Sequence, residues 1–199
     1  LALPTEVSAS SGMNAMAHAI EALYAEDKNP ITSMMAIESI KALRTALPSI
    51  VKNPQSLEAR TQAMYGAWLA GVCLGSVGMA IHHKLCHVLG GRYNLPHAQT
   101  HAITLPYSVF YNQNTDPTIM NALAMALGGT HHTEAANLIY QLNQELGISL
   151  SLHDLGLPAN GPQEVAKMVC ASPYYNPRPY EEAELSRLLS LAYNGLPPV

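Results

Sequence analysis

Five of the nine histidines lie between residues 82 and 101: His82, His83, His87, His97 and His101. Imidazole titrates nearest neutrality, so such a group serves either as proton donors and acceptors or as neutral metal ligands. His83 and His87 are four residues apart, which on a helix puts both rings on one face. Asn14 and His18 have the same spacing upstream. His97 follows Pro96, where a helix would start with backbone N–H groups pointing outward. Two such pairs and one helix-start histidine are enough to line a cluster between packed helices. Imidazoles with a carboxylate are typical ligands for Zn²⁺ or Fe²⁺, and three imidazoles alone can hold catalytic zinc. Here the fourth position is the neutral amide of Asn14, so one strong anionic ligand is missing. Protonated imidazoles would instead attract an anionic substrate, with the start of the His97 helix adding to that field.

The elements that must position these residues read as helices almost throughout. Ser10 or Ser11 is a plausible cap for a helix through Met13, Met16, Ile20 and Leu23, apolar at three- and four-residue steps. Asn29-Pro30 reads as cap and first position of a second helix, ending before Pro48. Ser56 starts a third, whose stretch from Ala63 to Ile81 carries no charge. That length matches a membrane span, and Gly71 and Gly75 form a GxxxG. Its four glycines favour instead a central helix packed on all sides. A short helix over His82–Leu89 should stop at Gly90-Gly91. Further helices are expected at Pro117–Leu127, Thr133–Leu146, Pro162–Ala171 and Tyr180–Tyr193. Alternating β-branched runs are missing, so the expected fold is an all-α bundle forming one domain over residues 1–199.

Charged residues make up 12% of the 199-residue chain and apolar ones 48%, which excludes disorder and suggests surface hidden by a second domain or subunit. Ten Lys and Arg against 14 Asp and Glu give a net charge of −4, with no basic footprint for nucleic acid or an anionic membrane. Cys73, Cys86 and Cys170 form no CxxC, so reduced thiols and a cytoplasmic location are expected. No GxGxxG or GxxxxGK[ST] occurs. The chain opens without an initiator Met, which suggests a domain of a longer protein.

The string Ser11-Gly-Met-Asn14-Ala-Met-Ala-His18-Ala-Ile-Glu21 resembles the helix of the iron-type (group III) alcohol dehydrogenases that carries an Asp and a His metal ligand four residues apart. His82-His83-Lys84-Leu85-Cys86-His87-Val-Leu-Gly90-Gly91, then Asn94-Leu-Pro96-His97, is similar to that family's second metal segment. The resemblance places its remaining ligands at His83 and His97 and a further active-site histidine at His87. HHKLCH, LGG and NLPH with Asn14 in place of Asp look like the maleylacetate reductase branch, usually treated as metal-independent. It implies the C-terminal helical domain of a two-domain enzyme, a preceding nucleotide-binding domain, NADH or NADPH as cofactor, and a homodimer. The implied reaction reduces maleylacetate, and often chlorinated analogues, to 3-oxoadipate.

On that reading His18, His83 and His97 form a cationic or donor-rich pocket for carboxylate and enolate oxygens, with Asn14 beside them. His87 is the proton donor, Lys84 a weaker substrate contact, and Gly90 and Gly91 a close approach for the nicotinamide. No metal is expected. His82 should be structural, His101 either in the cavity or behind it, His131 and His132 solvated, Cys86 buried and inert. Tyr107, Tyr111, Tyr174 and Tyr175 should pack at element ends or interfaces. The rivals are a metal-dependent alcohol dehydrogenase of the same superfamily, an all-α metallohydrolase built on His153-Asp154, and a helical interaction module without chemistry.

Overall fold

Local capping accounts for several of the helix starts. The Asn29 side chain accepts from Ile31 N at 3.0 Å and Thr32 N at 3.1 Å, while Thr32 Oγ1 accepts from Asn29 N at 3.0 Å. Ser56 accepts from Ala59 N, and Asp116, followed by Pro117, accepts from Thr118 N and Ile119 N. The computed structural model describes residues 2–199. Its α-helices are α1 Thr5–Tyr24, α2 Pro30–Lys52, α3 Leu57–Ser76, α4 Ile81–Tyr93, α5 His97–Asn112, α6 Pro117–Ala126, α7 Ala135–Glu145, α8 Gly161–Ala171 and α9 Glu182–Tyr193. A single 3₁₀ turn, His132–Glu134, precedes α7. No strand occurs among the described residues, and the all-α expectation holds.

Several boundaries differ from the sequence reading. Helix α1 starts at Thr5 rather than beside Ser10, because the Ser10 hydroxyl bonds back to Glu6 O at 2.9 Å and so sits comfortably inside a helix. Helix α2 runs through Pro48 to Lys52: with one turn left, the proline removes a single donor near the helix end. Gly90 and Gly91 do not stop α4. It continues to Tyr93 and ends on Asn94, which takes the left-handed conformation at φ 53° and donates to Gly90 O at 2.9 Å.

The helix surrounded on all sides is α5, not α3. Residues 100–109 are all buried. Ala102, Leu105 and Val109 face a core built with α1, α2, α3, α6 and α7. Ile103, Tyr107 and Tyr111 face a second core built with α4, α8 and α9. These two stripes of three- and four-residue spacing lie on different sides of one helix, which makes α5 the spine between two cores. Helix α3 packs on α2 and α1 through Ala59, Gly66, Leu69, Ala70 and Cys73, and leaves Met64 and Trp68 75% and 62% exposed. Its length and mean hydropathy could not reveal this, because they do not say on which side the apolar residues fall. No single helix among the described residues is long and apolar enough to cross a membrane.

The glycines of α3 are not equivalent. A Cβ on Gly66 would lie 2.9 Å from Leu43 Cγ and 3.2 Å from Ser39 O, whereas one on Gly71 or Gly75 would meet nothing within 4 Å. Close approach to α2 therefore runs through Gly66, whose carbonyl also accepts from Ser39 Oγ at 2.8 Å, and not through the GxxxG pair. Gly66→Ala is expected to cost about 1–3 kcal/mol of stability by overpacking. Gly71→Ala should be neutral or stabilising by up to about 1 kcal/mol, since it only removes backbone freedom. Urea unfolding of the two variants checks the contrast.

Candidate active site

Helix α4 starts without a side-chain cap from its own neighbourhood: Ala80 at the cap position has nothing to offer. The cap comes from α1. Glu21, fully buried, accepts from Ala80 N at 2.8 Å and His82 N at 2.6 Å, with a longer contact from His83 N at 3.4 Å. A carboxylate suits the partial positive charge of a helix N-terminus. The same side chain lies 2.7 Å from His83 Nδ1. Because it accepts throughout, Nδ1 carries the hydrogen, and His83 Nε2 is the atom left to face the interior. That Nε2 is buried without a partner, as is Asn14 Oδ1.

Around this ring the other imidazoles converge. His18, one turn after Asn14 on α1, stacks on His83 with ring centroids 4.9 Å apart. His101 lies 5.0 Å from His83 and 4.3 Å from His97, which precedes it by one turn on α5. His87 sits 6.0 Å from His83 at the exposed rim, its Nδ1 3.1 Å from the Tyr174 hydroxyl. Three helices and five rings thus meet in one group. Lys84 stands outside it, with Nζ 4.9 Å from the Tyr174 ring centre. Gly90 and Gly91 lie further along α4, with open space where a Cβ would be. His131 and His132 pair with each other elsewhere, and His153 and Asp154 are exposed, which leaves the metallohydrolase reading without a site.

Within the cluster His18 and His101 are neutral rather than cationic. Burial, then the nearby His83 and His97, push His18 down to about 4. Burial, followed by the same neighbours, pushes His101 down to about 2. His87 is lowered mainly by burial and then by His83, His97 and Lys84. At neutral pH His18 and His101 therefore offer one N–H donor and one lone pair each. His82 is buried behind them, its Nε2 3.0 Å from His101 Nδ1 and 3.7 Å from Cys86 Sγ. This buried His–Cys–His group brings its ligand atoms within 4.8 Å of one another, a spacing that could hold a metal ion, while two of its nitrogens lie at hydrogen-bond distance and burial raises the Cys86 thiol well above its ordinary range.

Glu21 and Tyr174 are the contacts sequence reasoning missed. Glu21 had a signal, since Asn14, His18 and Glu21 lie at i, i+4 and i+7 on one helix face. Tyr174 had none, being 87 residues from its partner. Tyr107 and Tyr111 pack as expected, donating to Leu196 O and Pro179 O.

The buried rings also set a pH dependence. Between pH 6.5 and 4 an unfolded chain takes up protons that the fold refuses at His18 and His101, so stability falls on acidification through that window. Thermal melts should move down steadily from pH 7.5 to pH 5, and His101→Gln should flatten the slope. A melting temperature independent of pH in this range would contradict the burial of these rings.

Comparison with known proteins places this geometry. The model of the Fe-containing alcohol dehydrogenase family, C-terminal, matches residues 8–193. The maleylacetate reductase of Sphingobium indicum is 49% identical over 199 residues, which are all of this chain and 56% of that protein. The crystal structure of maleylacetate reductase from Rhizobium sp. strain MTP-10005 superposes with a TM-score of 0.94 at 46% identity, over 99% of this chain and 55% of that one. That of the Agrobacterium tumefaciens maleylacetate reductase gives 0.94 at 45% identity, over 99% and 55%. The chain thus spans about half the length of the relatives it matches. With its matching model covering nearly every residue, this chain belongs to the Fe-containing alcohol dehydrogenase family, as a C-terminal helical region of it.

Proposed function

We propose that this chain supplies the imidazole-lined half of the active site of a maleylacetate reductase. The observation that carries the reading is the convergence of His18, His83, His97 and His87 in one group, with Asn14 one turn before His18 at the position where the iron-type relatives are expected to carry an Asp. The reading is supported by the identity of nearly half its residues to a named maleylacetate reductase. It includes a preceding nucleotide-binding domain, a homodimer, and a reducing cytoplasm suited to three free thiols.

Maleylacetate is a dianionic oxo-enedioate. Reduced NAD(P) supplies a hydride, which adds to the alkene carbon β to the ketone; the ketone oxygen takes the charge as an enolate, and a proton on the remaining alkene carbon completes 3-oxoadipate. The chain's own work is to seat carboxylates, to hold donors at the enolate and to deliver that proton. His18 offers an N–H group for these oxygens, and His97 and the Asn14 amide are further contacts for the substrate. His83, backed by Glu21, is held in one orientation. His87 at the rim is the proton donor: with the Tyr174 hydroxyl against Nδ1, its Nε2 faces outward to substrate. Lys84 adds a positive charge for a carboxylate. Gly90 and Gly91 leave open backbone against which a nicotinamide fits.

The donor set does not match a divalent ion held by three imidazoles and a carboxylate. Asn14 brings no charge, and both oxygens of Glu21, the nearby buried carboxylate, are engaged by α4 and His83. The metal-dependent dehydrogenase remains the second reading, favoured by the buried, unpartnered Nε2 of His83.

In the full-length enzyme, His87→Ala should lower kcat by about 10² or more, while an unchanged kcat with a raised KM would reject the proton-donor role. Chelation should leave NAD(P)H-dependent reduction of maleylacetate intact; tightly bound stoichiometric iron or zinc, with activity lost on its removal, would decide for the second reading. The 199-residue chain alone should oxidise no NADH or NADPH with maleylacetate.

A further inference from the structure

Behind the cluster lies a chain of hydrogen bonds whose polarity follows from its far end. Ser108 Oγ donates to Leu105 O at 2.9 Å, so its oxygen is left to accept from His82 Nδ1 at 3.1 Å. His82 is fully buried and its ring nitrogens meet only Ser108, His101 and Cys86, with no carboxylate to hold a positive charge, so it is neutral; with the hydrogen on Nδ1, its Nε2 holds a lone pair. His101 Nδ1, 3.0 Å away, must then carry the hydrogen and donate to it. That leaves His101 Nε2, buried and without a partner in the fold, as an acceptor. A wholly buried lone pair with nothing to accept is costly, and here it belongs to a ring whose centre lies 4.3 Å from that of His97.

We propose that Ser108 and His82 fix His101 as a hydrogen-bond acceptor that positions His97, by taking an N–H of the His97 ring one helical turn away. His97 is exposed, whereas His101 cannot move without breaking the buried chain behind it. Accepting one N–H of His97 leaves the opposite ring nitrogen facing the bound molecule in a single protonation pattern. His101 and His82 are thus positioning residues, and Ser108 is the anchor that sets the polarity of the series. His83, by contrast, is backed by the carboxylate of Glu21, so the two inner rings of the site are oriented by different means.

The test uses the full-length enzyme labelled with ¹⁵N at histidine, with tautomers read from long-range ¹H–¹⁵N correlations. In the unaltered enzyme His82 and His101 should both carry hydrogen on Nδ1. Ser108→Ala removes only the anchor; the His101 and His97 tautomers should become mixed and kcat should fall about tenfold, with KM changed less than about twofold. Ser108→Thr, which keeps the hydroxyl, should restore both. Hydrogen on Nε2 of His101 in the unaltered enzyme would overturn the proposal, even if no variant folds. A Ser108→Ala enzyme with unchanged tautomers, or with shifted tautomers and unchanged kcat, would also overturn it. The kinetic part rests on the reductase reading and the tautomer part does not, so failure to reduce maleylacetate is distinguishable from failure of the relay.

Discussion

The placement of the site depends on one buried carboxylate. Glu21 joins the end of α1 to the beginning of α4, supplying the cap that Ala80 cannot and the partner that fixes His83. A carboxylate can be kept inside an apolar bundle only when its oxygens are fully occupied, and here backbone donors and an imidazole fill that need. The consequence is geometric. His18 lies less than one turn before Glu21, so whatever fixes Glu21 against α4 also fixes the stack of His18 on His83.

The second constraint is α5. Its two apolar stripes tie the large core of α1, α2, α3, α6 and α7 to the smaller core of α4, α8 and α9. The histidines of its first turns are therefore held at the seam where the two cores meet α1 and α4. Desolvation at that seam keeps His18 and His101 neutral, which turns a set of five rings into directed donors and lone pairs rather than a diffuse positive field. The outer members, His87 and His97, stay exposed, at the positions where a substrate would arrive.

Much of this was legible in the residues. The i, i+4 pairs Asn14–His18 and His83–His87 and the proline before His97 were enough to suggest a cluster between packed helices, and the caps at Asn29 and Ser56 were read correctly. What stayed hidden was what depends on partners distant in sequence. The charge-free run of α3 has the composition of a central helix, yet its Trp68 and Met64 face outward. The thoroughly buried α5 can carry Thr100, His101 and Ser108 because each makes a hydrogen bond inside the fold. Gly90-Gly91 is a fair stop signal, but a helix continues through glycine when an Asn such as Asn94 closes it a few residues on. The role of Tyr174 could come only from the fold.

The measurement that tests the central claim most directly is a double-mutant cycle on Glu21 and His83 in the full-length protein, using Glu21→Gln, His83→Gln and the double variant in denaturant unfolding. If the carboxylate and the ring form the buried charge-assisted contact described above, the two substitutions will be non-additive by about 1.5 kcal/mol or more. Additivity within about 0.5 kcal/mol would mean that Glu21 does not hold His83, and the account of the site would fail with it.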